Sequence, residues 1–413
     1  MEKAIIAALN MGKYPDLSEL ERLVMSAGGE VASKIIQKRG RPHPAYYVGK
    51  GKAGEIAQEC LRLSIQLVIF NGELTPVQKI NLEEIIQAKV IDRTGLILDI
   101  FASRARTSEG KLQVELAQLM HILPTLTGHG VMFSQLGAGI GTRGPGETKL
   151  EYDRRRIRKR IQILQKDIQA VTKSRQIQKE GRSHYLKGHP TVSLIGYTNA
   201  GKSTLMNALS GSEVLVDDRL FATLDPTTRK VEIGNNQELL VTDTVGFIKE
   251  LPHTLVAAFR STLEEVCDAD LLLHVVDVSS ERMNEEIDAV NKVLKDLKAD
   301  KKPILIVFNK KDKAKKAILK KVLEEIPMSA AISALNKDGI NDLLGMLSGF
   351  FSKKRIFLKL KLPVSDAMKI LNVIYKNGEV LKKEYEGQSV IIEANVDEEA
   401  AHNIKYSIKQ KGG

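Results

Sequence analysis

Eight residues, Gly196-Tyr-Thr-Asn-Ala-Gly201-Lys202-Ser203, constrain this chain more than any other stretch. They fit G-x-x-x-x-G-K-[ST], follow the apolar run Thr191–Gly196 and precede an amphipathic run, so they read as strand, glycine loop and helix start. Glycines at the two ends let the backbone curl around a polyphosphate, and Tyr197, Thr198, Asn199 and Ala200 then turn N–H groups toward the anion together with the helix N-terminus. In that arrangement Lys202 reaches β- and γ-phosphate oxygens, and Ser203, with Thr204 beside it, offers a hydroxyl to Mg²⁺.

Three further elements follow in order. Asp243-Thr244-Val245-Gly246 ends an apolar strand 40 residues after Ser203. Its carboxylate suits Mg²⁺, and the Gly246 N–H suits a γ-phosphate. Asn309-Lys310-Lys311-Asp312 follows the apolar run 303–308. An Asp at a base edge accepts from guanine N1–H and N2–H₂, a donor pair adenine lacks, so this element selects GTP over ATP. Ser333-Ala334-Leu335 follows the last short strand, where a backbone N–H would meet guanine O6. Between the first helix and the second strand lies Phe221-Ala222-Thr223-Leu224-Asp225-Pro-Thr-Thr228, a candidate switch. Thr223 is the expected Mg²⁺ ligand there, with Thr227 and Thr228 as alternatives. The catalytic set expected is therefore Lys202, Thr223 and Gly246, and the metal set Ser203, Thr223 and Asp243. Position 247 is Phe, where Ras-like GTPases carry the glutamine that orients water, so slow intrinsic hydrolysis stimulated by a partner is expected.

The pattern of runs divides the chain into four expected parts. Residues 1–105 alternate candidate strands (Ala4–Leu9, Val31–Ile36, Gln66–Asn71, Leu96–Ile100) with helices (Leu17–Ser26, Ala53–Leu63, Pro76–Gln87), an α/β domain. Residues 106–188 read as a helical hairpin, Thr107–Leu123 and Thr148–Ala170, around a tip loop Gly128–Gly146 with seven glycines in 19 residues. Residues 189–355 form the GTP-binding domain, a doubly wound, mostly parallel sheet. Residues 356–413 make a small α+β domain without a legible motif.

Charge follows the same division. The net +11 lies wholly in residues 1–190, with 30 Lys+Arg against 19 Asp+Glu, while residues 191–413 carry 32 of each. Residues 147–190 alone hold 13 basic and 5 acidic side chains, +8. In Arg154–Arg160 only Ile157 is neither Lys nor Arg. A stripe of this kind neutralises phosphates, so nucleic acid is the leading partner class, through Arg143, Lys149, Arg154, Arg155, Arg156, Arg158, Lys159 and Arg160. No apolar run reaches the roughly 18 residues of a membrane span, and the run Ala4–Leu9 is shorter than a signal h-region would be expected to be. Two cysteines, Cys60 and Cys267, build no disulfide framework, and no C-x-x-C or H-x-x-x-H marks a further metal site. A cytoplasmic monomer is expected, with peripheral membrane association as the alternative.

Tyr46-Tyr-Val-Gly-Lys-Gly-Lys52, Asp92 through Arg106, Gly139-Ile-Gly-Thr-Arg-Gly-Pro-Gly-Glu-Thr-Lys149, Gly196–Ser203 and Phe221–Asp225 together resemble the HflX-type GTPases, across about residues 1 to 350. The resemblance implies a P-loop GTPase that binds the large ribosomal subunit and splits or rescues stalled ribosomes, notably under heat stress. It would place the glycine-rich tip toward the peptidyl-transferase region, and the N-terminal domain and Arg154–Arg160 on ribosomal RNA. The family also carries a hydrophobic residue at the position of Phe247. Two other readings stand beside it. One is a ribosome-assembly or regulatory GTPase switch with a protein or membrane-surface partner. The other is an ATP-using RNA remodeller, against which the N-terminal half offers no second phosphate-loop pattern.

Overall fold

The computed structural model describes residues 1–12, 15–136, 145–186, 189–211, 220–234, 237–249, 260–352, 356–396 and 398–409. Two compact units emerge. The first comprises Met1–Ser174, Asp217–Asp225 and Glu250–Ser261; the second comprises Arg175–Val216, Pro226–Lys249 and Thr262–Gly413.

The first unit opens with an alternating β/α series: β1 (Glu2–Asn10), α1 (Ser18–Ser26), β2 (Gly29–Lys38), α2 (Lys50–Leu63), β3 (Leu67–Phe70), α3 (Pro76–Ile86), β4 (Lys89–Asp92) and α4 (Arg93–Arg104). Its four strands are parallel in the order β2-β1-β3-β4. Both faces of β1 and β3 are buried, which is why they read as unbroken apolar runs. Ile5, Ala7, Val68, Phe70 and Val90 meet Ile56, Leu82 and Ile86 in one core. One expectation fails here. Leu96–Ile100 is not a strand but the middle of α4, and the fourth strand is the preceding Lys89–Asp92. A short apolar run has no period that separates strand from buried helix. What decides is the start signal: Asp92 accepts from the Gly95 N–H at 2.8 Å as the N-cap.

Two long helices follow, α5 (Ser108–Leu136) and α6 (Pro145–Leu186). Both run past the expected helices, Thr107–Leu123 and Thr148–Ala170, and Gly128 and Gly130 are helical rather than part of a tip loop. Each glycine costs a helix about 1 kcal/mol, which does not stop one already propagating. Of the glycine-rich segment, residues 137–144, Arg143 among them, lie outside the described residues, as does the side chain of Lys149.

The second unit is built on a six-stranded sheet ordered β10-β9-β8-β5-β7-β6, whose elements are β5 (Thr191–Gly196), α7 (Lys202–Ser210), β6 (Thr227–Glu232), β7 (Glu238–Asp243), α8 (Arg260–Asp268), β8 (Leu271–Asp277), α9 (Met283–Asp296), β9 (Ile304–Asn309), α10 (Lys316–Glu325), β10 (Ser329–Ala331) and α11 (Ile340–Ser352). All pairings are parallel except β6 with β7. This is the doubly wound sheet expected, and the carboxyl ends of β5, β7, β9 and β10 present the four motifs along one edge, where such sheets take ligands. The same unit also contains β11 (Ile356–Pro363), α12 (Val364–Asn377), β12 (Gly378–Glu386), β13 (Ser389–Val396) and α13 (Glu398–Lys409). Their antiparallel sheet, β11-β13-β12, buries Leu358, Leu362, Val390 and Ile392 against Leu371, Ile374 and Ile404. No helix among the described residues is long and apolar enough to cross a membrane.

Candidate nucleotide site

The loop after β5 ends at Gly201, which caps α7 with φ +94. A Cβ there would sit 2.2 Å from Asn309 Nδ2, so both conformation and space demand glycine. The reason for that closeness is functional packing. Asn309 donates through Nδ2 to the Ala200 carbonyl at 2.9 Å and accepts through Oδ1 from the Ala334 N–H at 2.9 Å. One buried amide thus fastens the phosphate loop to both expected base-recognition elements. Spacing alone does not reveal this role. The Ala334 N–H is committed to Asn309, while Leu335 is exposed.

Lys202 is buried, and its Nζ donates to the carbonyls of Gly196 at 3.2 Å and Tyr197 at 3.0 Å. Burial pushes the ammonium down to about 8, with the Asp243 carboxylate pulling the other way. A polyphosphate beside it would restore the charged form. The buried Thr198 Oγ1 makes no hydrogen bond to protein, a donor that a phosphate oxygen would satisfy. Ser203 Oγ donates to Asp243 Oδ2 at 2.7 Å. A hydroxyl and a carboxylate so placed are the hard oxygen donors that suit Mg²⁺. Among the described residues no cluster of three or more His, Cys, Asp or Glu side chains forms another metal site.

Gly246 lies against the phosphate loop: a Cβ there would fall 2.8 Å from Thr198 Cγ2 and 3.1 Å from Lys202 Nζ. Phe247 pairs with the same loop, donating its N–H to the Gly196 carbonyl at 3.0 Å and accepting the Thr198 N–H at 2.8 Å. Its ring is buried, 1% exposed. Thr244 Oγ1 donates to the Leu194 carbonyl at 2.6 Å, and Val245 is buried, so side chains of this element also tie it to the sheet.

At the expected base site Lys310 donates to the Asn199 carbonyl at 2.8 Å and pairs with Asp277 Oδ2 at 2.7 Å. Asp277 escaped the sequence reading, although an Asp ending an apolar strand on this sheet edge was a usable signal. Lys311 pairs with Asp338 at 2.9 Å, and Asp312 is exposed in a short turn. Ser333 is buried and exchanges both backbone bonds with Asp338. His274, in the middle of β8, is buried beside these elements and pushed down to about 4 by burial and then by the Lys202 charge.

The expected switch, Phe221–Thr228, is divided between the two units. Residues 220–225 belong to the first unit. There Phe221, at φ +57, is buried with its ring edge-on to Phe101 at 4.7 Å. The Leu220 N–H donates to Ser26 Oγ at 3.0 Å, and Leu224 is buried. Asp225 accepts from the N–H groups of Arg106 and Thr107, each at 3.0 Å, and from Thr107 Oγ1. Ala222 and Thr223 are half-buried in the same segment.

In the hairpin the basic residues separate into two kinds. Arg160 makes a two-pronged ion pair with Glu115, and Arg154 donates twice to the Leu126 carbonyl, tying α6 to α5. Arg155, Arg156, Arg158 and Lys159 are exposed.

Three family models match the chain in succession: a GTP-binding GTPase N-terminal model over residues 15–102, a GTP-binding GTPase middle-region model over 104–182, and a 50S ribosome-binding GTPase model over 191–310. Among curated relatives, the GTPase HflX of Caldanaerobacter subterraneus subsp. tengcongensis is 44% identical over 413 residues, covering 98% of this chain and 94% of its own. That of Lacrimispora saccharolytica is 43% identical over 405 residues, covering 96% and 94%. The Escherichia coli GTPase HflX is 51% identical over 298 residues, covering 72% and 69%.

Proposed function

The chain belongs to the HflX family of GTPases, and on that premise we propose that it hydrolyses GTP in order to act on the large ribosomal subunit, separating or rescuing stalled ribosomes in the cytoplasm under stress. The observation that carries the ribosomal reading is the exposure of Arg155, Arg156, Arg158 and Lys159 on α6, a cluster pre-positioned by the ties that Arg154 and Arg160 make to α5. Four cations held on a rigid helix suit ribosomal RNA phosphates. The four-part division at residues 105, 188 and 355 belongs to this reading, with the hairpin and N-terminal part on RNA.

Within the nucleotide site Gly196–Thr204 cradle the phosphates and Lys202 neutralises β- and γ-oxygens. Asp312 selects guanine, with Asn309, Lys310, Lys311 and Ser333–Leu335 shaping its pocket. Ser203 and Asp243 would hold Mg²⁺, with Thr223 the further ligand expected of the switch, and the ion would neutralise charge developing on phosphate oxygens. Gly246 turns its N–H toward the γ-phosphate. Phe247 has no group that orients water and its ring is buried, so hydrolysis is slow until the ribosome orders the switch segments.

Sedimentation of the protein with purified subunits and a non-hydrolysable GTP analogue tests this function. Migration with the large subunit is expected; migration with neither subunit would overturn it, and binding to anionic vesicles instead would favour a membrane-surface switch. A ribosome-free single-turnover rate of about 1 s⁻¹ or above, against the 10⁻³ s⁻¹ order of unstimulated Ras-type enzymes, would refute the dependence on a partner.

A further inference from the structure

We infer that Tyr197 is a positioning residue for GTP hydrolysis, linking the phosphate-binding lysine to the segment that carries Phe247. The inference rests on the assignment of residues 196–203 to the phosphates. Tyr197 sits inside the phosphate loop and is held at two points that face different elements. Its main-chain carbonyl accepts from Lys202 Nζ at 3.0 Å. Its phenolic oxygen, at the far end of a buried side chain, accepts from the Lys249 N–H at 2.8 Å. Between these points the backbone of the loop is laddered to Phe247, which Gly196 and Thr198 grip from either side. Gly246 is pressed against Thr198 and Lys202. The run 246–249 is therefore tied to the phosphate loop at its start through backbone bonds and at its end through the Tyr197 phenol, while Lys249 Nζ pairs at 3.4 Å with the exposed Glu285 carboxylate.

The phenol bond has a consequence for chemistry. With Lys249 anchored, the chain on both sides of Phe247 is tied to the loop and the ring stays buried. Without it, the tie between that end of the segment and the phosphate loop is lost, and the ring gains freedom to swing out where the attacking water must sit. Lys202 makes the link responsive. A γ-phosphate that draws Nζ off the Tyr197 carbonyl changes the restraint on the same residue whose phenol anchors Lys249. Tyrosine is required for this: phenylalanine fills the same space without an acceptor.

The test uses the full chain and the variants Tyr197→Phe, Lys249→Ala and Lys202→Ala. Y197F keeps the packing and is expected to bind GDP and a non-hydrolysable GTP analogue as the parent does. Its single-turnover hydrolysis is expected to fall about three- to tenfold, the effect of one hydrogen bond. Amide exchange at Lys249 should quicken in Y197F and in K202A, in the absence of nucleotide, without global loss of protection. K249A retains the backbone N–H, so both its rate and its amide protection should match the parent. An unchanged or faster rate in Y197F would overturn the proposal. So would a rate loss matched by lost affinity, or unaltered Lys249 exchange in both variants. Should K202A keep full nucleotide affinity, the phosphate assignment itself fails, whatever Y197F does.

Discussion

The Asp225 carboxylate closes the N-terminus of α5 by accepting from the Thr107 N–H at 3.0 Å and from Thr107 Oγ1, while Thr107 Oγ1 in turn accepts from the Gly110 N–H at 3.0 Å. A residue of the expected switch thereby satisfies donors that a helix start leaves open, and its negative charge sits at the positive end of the helix dipole. Asp225→Asn keeps the shape and removes the charge; Asp225→Ala removes the cap. Losses of about 0.5 and 1–2 kcal/mol in unfolding free energy are expected, read by urea denaturation. A Thr107→Ala, Asp225→Ala double-mutant cycle should show strong coupling; additive effects would deny the contact a role.

Gly201→Ala gives a sharper outcome than its size suggests. The added methyl meets Asn309 Nδ2, so the amide must abandon the Ala200 carbonyl, and with it the common anchor of the loop and Ala334. Nucleotide affinity should fall at least about a hundredfold, beyond what losing one hydrogen bond explains. Fluorescent GDP titration measures it, and a loss under about tenfold would show that the loop tolerates the displacement.

These cases mark what a linear reading can and cannot reach. Gly196–Ser203 was legible because eight consecutive residues encode a local backbone shape between two periodic runs. Asp243 and Asn309 were legible because each ends a short apolar strand, and Ser333 because it follows one, and strands of this sheet share one functional edge. Leu96–Ile100 was misread because an all-apolar run carries no period. The helical Gly128 and Gly130 were misread because propagation overrides local propensity. The bonds of Tyr197 to Lys249, Asn309 to Ala334 and Asp225 to Thr107 join positions 52, 25 and 118 residues apart, and only the fold brings them together.

His274 should set an acid limit on stability. Its folded pKa of about 4 lies below its ordinary 6.5, so between those values the unfolded chain binds a proton that the folded chain refuses. Stability therefore falls as pH drops through that window, by about 2 kcal/mol between pH 7.5 and 5. His274→Gln should flatten this limb in urea titrations at the two pH values. An unchanged slope would remove His274 from the account.

Lys202 titrates at the other end. Its folded value of about 8, against 10.5, means that stability rises as pH climbs from about 8 to 10.5, where the folded chain alone has lost the proton. Phosphate binding reverses the shift, so at pH 8.5 to 9 GDP association should take up a large fraction of a proton, and near pH 7 almost none. Calorimetry in buffers of different ionisation enthalpy reads this directly. Equal heats in all buffers at pH 9, or equal uptake in Lys202→Ala, would exclude Lys202 as the group.

The hairpin cations allow a comparison inside one helix. Arg155, Arg156, Arg158, Lys159 and Arg160 are all exposed, and Arg160 is paired with Glu115. Replacing Arg155, Arg156, Arg158 and Lys159 with Ala should weaken binding to ribosomal RNA and flatten the dependence of log K on log salt by on the order of three, because each phosphate contact releases condensed counterions. Arg160→Ala should leave that slope nearly unchanged and instead loosen the α5–α6 pairing, seen as faster amide exchange near Glu115. Filter binding across salt concentrations separates the two. If Arg160→Ala changes the slope as much as any of the other four, the ion pair opens on RNA and the division into structural and RNA-facing arginines fails.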